Sequence, residues 1–208
     1  MNSDCEFNIL IKGKRAGSDK KLYKNLEEQY QVQLSKSPEA FEGVAVSPFG
    51  PLTESSSRKT LINLISILNA SFSDYDFSNA KSEQFRKETS PYMVINSINT
   101  MLSNVIENFN VDMGPKLWTA IDNEIRLKEC DIYTYSPESD ADPYAEDDQP
   151  PPVWSFHYFC YNKKLKRIIY FTCRAISKID RYSNDIGNSI SYQSDDDDDM
   201  WDHNTMEL

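Results

Sequence analysis

The residues most able to do chemistry lie in one stretch, WSFHYFCYNKKLKRIIYF, from Trp154 to Phe171. Four cations, Lys163, Lys164, Lys166 and Arg167, crowd around Leu165 between two runs of aromatic and β-branched residues. Such a cluster suits three tasks. It can serve as a nuclear-import patch, as a phosphate contact beside stacking aromatics, or as a solvated turn whose charges keep two aggregation-prone strands apart. The local residues leave all three open. His157 and Cys160 spell H-x-x-C, but positions three apart on a strand point to opposite faces, so one zinc ion could not easily take both. His157 therefore reads as a packed or surface histidine.

A second group of candidates is acidic. The loop Asp140-Ala-Asp142-Pro-Tyr144-Ala-Glu146 spaces its oxygens by two, as a calcium loop does. Its sixth position is Ala145 where a glycine is needed, and its twelfth is Pro151 where a bidentate glutamate is needed. The carboxylates Glu138, Asp140, Asp142, Glu146, Asp147 and Asp148 are read instead as a solvated, exposed acidic loop. A second block, Asp195 to Asp199 with Asp202 and Glu207, encloses Met200 and Trp201. An aromatic in an acidic segment suits a short docking motif, and a solubilising tail fits equally well. Ser37 and Ser47, each before a proline, and Ser18, three residues after Arg15, are candidate phosphosites.

No other constellation reaches catalytic quality. Two histidines, no glycine-rich phosphate loop and no G-x-S-x-G elbow disfavour a metal-dependent hydrolase, and no cofactor is expected. Charge disfavours a second class. The chain is net −11, yet the two acidic blocks hold 13 of its 33 carboxylates, and the remaining 20 face 22 basic residues. The acidity belongs to two segments, which oppose non-specific duplex binding by the whole chain, and no direct specific DNA binding is expected; a direct nucleic-acid binder is kept as the alternative. Cys5, Cys130, Cys160 and Cys173 show no paired spacing and read as reduced thiols. No leader-like segment and no stretch approaching 18 apolar residues is present, so a soluble, intracellular chain without a membrane partner is expected.

The elements that must position these groups follow from periodicity. CEFNILIKG, Cys5 to Gly13, is strand-like, and Leu22, Leu26 and Tyr30 give a helical stripe after Ser18. Leu61, Ile62, Leu64, Ile65, Ile67 and Leu68 make an apolar surface too wide for a half-exposed helix, with Ser57 as its expected cap. Ser90-Pro91 starts a helix whose stripe runs from Val94 through Ile98, Leu102 and Val105 to Phe109. Leu117, Trp118, Ile121 and Ile125 mark a shorter one. The period then falls to two at Ile132 to Tyr135, and the Trp154 to Phe171 stretch folds as a hairpin turning at Asn162 to Leu165, with Phe156, Tyr158 and Cys160 on one face. The expected organisation is a strand and helix over residues 1–34, a flexible linker over 35–57, the rest of the same domain over 58–178 and a disordered acidic tail over 179–208.

Several long blocks together resemble the Maf-one family, general repressors of RNA polymerase III transcription. They are AGSDKKLYK, FGPL followed by SSRKTLINLISILNASFSDYDFS, ECDIYTYSPESDADPYAEDD and WSFHYFCYNKKLKRIIYF, in the family's order. The resemblance implies a single α/β (α+β) domain, with a central antiparallel sheet packed by helices. It also implies a binding inhibitor, not an enzyme. Its partners would be the clamp and initiation-specific subunits of RNA polymerase III, with the initiation factor, protein kinases, a phosphatase and an import receptor. Phosphorylation would control a chain that shuttles between nucleus and cytoplasm. On this view Lys163, Lys164, Lys166 and Arg167 form a nuclear-targeting or polymerase-contact patch, whose substitution should disturb localisation or binding more than folding, and the loop carrying Glu138, Asp140, Asp142, Glu146, Asp147 and Asp148 is an acidic contact element.

Overall fold

The computed structural model describes residues 3–12, 17–36, 47–137, 143 and 152–177. Five strands, β1 (Ser3–Lys12), β2 (Phe85–Lys87), β3 (Asp131–Tyr135), β4 (Trp154–Asn162) and β5 (Arg167–Ser177), form one antiparallel sheet in the order β1-β5-β4-β3-β2. The hairpin foreseen in the sequence is its centre: β4 pairs with β5 from Trp154↔Ala175 to Asn162↔Arg167. The first strand joins the other side of β5, from Ser3↔Ser177 to Lys12↔Ile168. Helices α1 (Gly17–Lys36), α2 (Ser55–Ser71), α3 (Pro91–Ser103) and α4 (Gly114–Ile125) complete the α+β fold.

Alternation along the strands splits the core in two. Tyr133, Tyr135, Phe159, Ile168 and Tyr170 face α2, whose Leu61, Leu64, Ile65 and Leu68 are completely shielded from solvent. Ile132, Phe156, Tyr158, Cys160, Ile169, Phe171 and Cys173 face the other way, onto Val94, Ile98 and Leu102 of α3 and Ile121 and Ile125 of α4. A sheet covered on both sides needs apolar residues at successive positions of its middle strands, which explains the unbroken run WSFHYFCY. His157 and Cys160 fall on opposite faces as the alternation requires. His157 is buried beside Phe72 and Tyr135, with Nδ1 2.6 Å from the Tyr170 hydroxyl and 3.0 Å from Thr172 Oγ1.

Helix α2 is held by one buried cation. Arg58 donates from Nε and Nη2 to Glu27 Oε1 of α1, at 3.1 and 2.6 Å, and from Nη1 to the carbonyls of Leu52 and Thr53, at 2.8 and 2.7 Å. Its side chain is 4% exposed and that of Glu27 23%. The guanidinium thus fixes α1 and the loop Ser47–Glu54 to the helix that covers the sheet.

Three sequence expectations need correction. The linker assigned to 35–57 is folded at both ends: α1 continues to Lys36, and from Ser47 the chain is a built turn. Gly50 at φ +99° lets this turn close, Ser47 Oγ donates to Gly50 O at 2.6 Å, and Phe49 and Leu52 are buried. Two isolated apolar residues anchor the loop, too few to make a period. Ser57 is not the cap of α2 either; Glu54 holds that position, while Ser57 Oγ lies inside the first turn and donates to Phe49 O at 3.1 Å. Finally, the stripe to Phe109 outruns its helix. Helix α3 stops at Ser103, and Asn108 takes φ +55°, so Phe109 reaches the core from a turn against Gly114. Asparagines at 104, 108 and 110 favour such turns over helix.

Two stability predictions follow. Replacing Glu27 with Leu strands a buried guanidinium and should destabilise the fold by about 3 kcal/mol, more than Arg58→Leu, which leaves a partly hydrated carboxylate; urea unfolding of the two variants checks the order. Burial lowers the pKa of His157 to about 4 from an ordinary 6.5. The unfolded chain then binds the proton that the native state refuses, so stability is lost as pH falls from 6.5 towards 4, by ~3 kcal/mol at most. His157→Gln should flatten that part of a pH-dependent melting curve.

Candidate interaction site at the hairpin end

The four cations of the hairpin occupy a turn between Asn162 and Arg167, with Lys166 at φ +52°. Asn162, fully buried, shapes the turn from inside: its Oδ1 accepts from Leu165 N at 3.0 Å, and its Nδ2 donates to Ile125 O at 2.9 Å. That carbonyl belongs to the last turn of α4, where Arg126 at φ +55° ends the helix. Asp122 Oδ1 accepts from Leu127 N at 2.8 Å, and Arg167 Nη1 donates to Glu124 O at 2.8 Å. The hairpin tip is therefore the C-terminal cap of α4. A cation at this end also meets the negative pole of the helix.

Ion pairs spread the cations unequally. Asp131 is shared, with Oδ1 2.7 Å from Lys87 Nζ and Oδ2 2.8 Å from Lys163 Nζ. Glu129 is shared as well, by Lys164 at 3.3 Å and Arg126 at 3.8 Å. Arg167 pairs with Glu124 at 3.0 Å. For Lys166 and Lys128 no ion pair occurs among the described residues. Partial burial opposes ionisation of Asp131, but the ammonium groups of Lys163 and Lys87 outweigh it and hold the carboxyl below its ordinary range. The same end contains Cys130, whose thiol is pushed up to about 12, first by burial and then by Asp122, Asp131 and Glu129, so it stays protonated and unreactive.

Of the residues singled out in the sequence, Lys163, Lys164, Lys166 and Arg167 are brought together as expected. Their partners Glu124, Glu129 and Asp131, and Lys87, which shares Asp131, were missed, because each comes from a different element and only the sheet register brings them to one end. Glu138, Asp140, Asp142, Glu146, Asp147 and Asp148, the tail residues Met200 and Trp201, and Ser37 lie outside the described residues. Ser18 falls in the first turn of α1, and Ser47 Oγ is engaged in the turn at Gly50, accepting from Phe49 N at 3.2 Å. Among the described residues no helix is long and apolar enough to cross a membrane, and no group of three or more His, Cys, Asp or Glu side chains could hold a metal ion.

The fold defines a class, and comparison with known proteins gives the same one. Crystal structures of citrus MAF1 superpose on this chain with TM-scores of 0.63 and 0.62, at 29% and 28% identity, over 86% of this chain and 91% and 92% of theirs. Residues 3–172 match the family model described as Maf1 regulator, and the chain belongs to that family. It is 39% identical over 206 residues to a Schizosaccharomyces pombe protein named "Repressor of RNA polymerase III transcription maf1", covering 94% of this chain and 83% of that one. It is 49% identical over 147 residues to the "Repressor of RNA polymerase III transcription" of Dictyostelium discoideum, covering 71% of this chain and 51% of the relative, about half its length. A Saccharomyces cerevisiae relative with the same name as the first shares 32% over 150 residues, covering 70% of this chain and 34% of its own.

The ion pairs make the four tip cations distinguishable by experiment. Arg167→Ala removes a helix-capping bond and an ion pair and should destabilise the domain by about 1 kcal/mol, whereas Lys166→Asn, which suits the left-handed backbone, should change stability by less than about 0.5 kcal/mol. Thermal unfolding followed by circular dichroism reads both.

Proposed function

We propose that this protein represses transcription by RNA polymerase III by binding the polymerase and blocking its recruitment to the promoter-bound initiation factor. The observation that carries the reading is the alignment over 94% of the chain with a repressor of that name, on a fold shared with MAF1 crystal structures. The family is one of regulators, and on this reading the protein acts by occupancy, without catalysis. The clamp and initiation-specific subunits are the proposed contacts. A charged hairpin end and separate acidic segments offer surfaces of both signs, which suits a partner whose own surfaces bind DNA and initiation factor. Phosphorylation by protein kinases, reversed by a phosphatase, and uptake by an import receptor would set how much of a shuttling pool reaches the nucleus.

The test is binding to purified RNA polymerase III followed by promoter-dependent transcription. Added before the initiation factor, the protein should pull down the polymerase and suppress initiation in proportion to the complex formed. Failure of both overturns the proposal. Tight binding to bare duplex with a steep salt dependence, without polymerase binding, would favour the nucleic-acid alternative.

A further inference from the structure

We propose that the cationic hairpin end is an internal docking site, occupied in the free protein by the acidic segment Asp195–Asp202 of the same chain. The proposal rests on the charges of this chain alone and holds whether or not the protein binds RNA polymerase III. Around the tip, Lys87 and Lys163 divide Asp131, Arg126 and Lys164 divide Glu129, and Arg167 has Glu124. Asp122 is engaged with the Leu127 N–H, and Lys128 and Lys166 have no ion pair among the described residues. Seven cations against four carboxylates leave a surplus of three positive charges, in a chain that is net −11.

The sequence contains a segment that complements this surface. The field of exposed lysines fades within about 10 Å at 0.1 M salt, so an occupant must bring its carboxylates close together. Residues 195–202, DDDDDMWD, place six aspartates and no cation in eight positions. They also set Met200 and Trp201 among those aspartates, and Leu165 stands 41% exposed among the lysines of the tip. Each side thus offers an apolar group ringed by charge, and the two rings have opposite sign.

Tethering favours this segment over an acidic peptide from another molecule. Strand β5 ends at Ser177, and its eleven residues put the tip roughly 33 Å from that point. Residues 178–194 intervene before Asp195, and a stretch of that length spans up to about 56 Å when extended, so the block reaches the tip with slack. A tether of this kind gives an effective concentration on the order of millimolar, which a separate acidic peptide would have to match. Arg174, a cation nearer the start of the tether, is already held by Glu6 at 2.9 Å. The rival occupant is the acidic stretch between Pro137 and Pro152, which also contains six carboxylates but is tied to the domain on both sides and has Pro143 buried. Any other acidic ligand of the hairpin end must then displace the tail first.

The test uses the full chain and, as probe, a fluorescein-labelled peptide of residues 194–203, followed by anisotropy. The tail variant D195N/D196N/D197N/D198N/D199N/D202N and the loop variant E138Q/D140N/D142N/E146Q/D147N/D148N each remove six carboxylates, so the second controls for a general gain in anion binding. The probe should bind the tail variant roughly tenfold tighter than the wild type or better, and the loop variant with much less gain. Adding K128Q/K164Q/K166N to the tail variant removes the surplus while leaving Glu124, Glu129 and Asp131 a cation each, and should abolish the gain. If that combination fails to fold, zero-length carbodiimide cross-linking of the wild-type monomer gives an independent reading. Mass spectrometry should then find Asp195–Asp202 linked to Lys128, Lys164 or Lys166 at low salt and not at high salt. Equal probe affinity for the tail variant and the wild type overturns the proposal. So does an equal or larger gain in the loop variant, a gain that survives loss of the three lysines, or absence of those cross-links.

Discussion

The buried guanidinium of Arg58 is the constraint from which the rest of the arrangement follows. A cation so shielded from water is tolerated only where acceptors replace its hydration, and Glu27 with the carbonyls of Leu52 and Thr53 do so. The three acceptors come from α1 and from the loop that leads into α2. Satisfying them places α1 along the outer side of α2 and closes the Phe49–Leu52 loop on its N-terminal turn. Helix α2 can then be apolar nearly all round, since the sheet covers one side and α1 with the loop covers much of the other. A wholly apolar contact would provide similar burial without fixing which elements meet; the directional hydrogen bonds of Arg58 fix it.

The hairpin end shows how two demands are met by the same side chains. Helix α4 ends against the sheet and its last carbonyls need donors, which Asn162 and Arg167 supply from the turn. The lysines beside them are mostly exposed, and of these Lys163 and Lys164 lean on shared carboxylates. Structural work falls on the groups nearest the helix axis, and free charge is left at the rim. A cluster that reads as uniform in sequence, KKLKR, is graded in the folded protein from Arg167, bound to a backbone carbonyl, to Lys166, which projects from a left-handed turn.

Sequence periodicity revealed the elements whose apolar residues repeat, and these make most of the domain. The width of the Leu61–Leu68 surface showed that α2 would be covered on more than one side, and the change of period after Ile125 marked the return to strand. The signal failed where a few residues act singly. Phe85 to Lys87 is too short for any period, Phe49 and Leu52 anchor a loop from within a Ser, Pro and Gly-rich stretch, and Phe109 continues a helical spacing that its asparagine neighbours interrupt. The candidate site was half legible. Its cations stand together in the chain, but Lys87, Glu124, Glu129 and Asp131 are neighbours only through strand register and the position where α4 stops, neither of which is encoded locally. The family resemblance named the class of protein without locating those partners.

The pairing of the first strand with the last has a consequence for how the protein is made. Ser3 meets Ser177, and Glu6 accepts from Arg174 across 168 residues of chain. During translation β1 emerges early and has no partner until β5 follows, a wait of roughly 10–30 s at ordinary rates of synthesis. Its ten residues are in the meantime a strand without a sheet, at a stage when such segments are prone to pair wrongly. Helices α1 and α2 can meet through Glu27 and Arg58 well before then, within the first third of the chain. Synthesis thus favours an order in which the helical layer assembles first, the central hairpin is laid on it later, and the earliest strand made is the last to be enclosed.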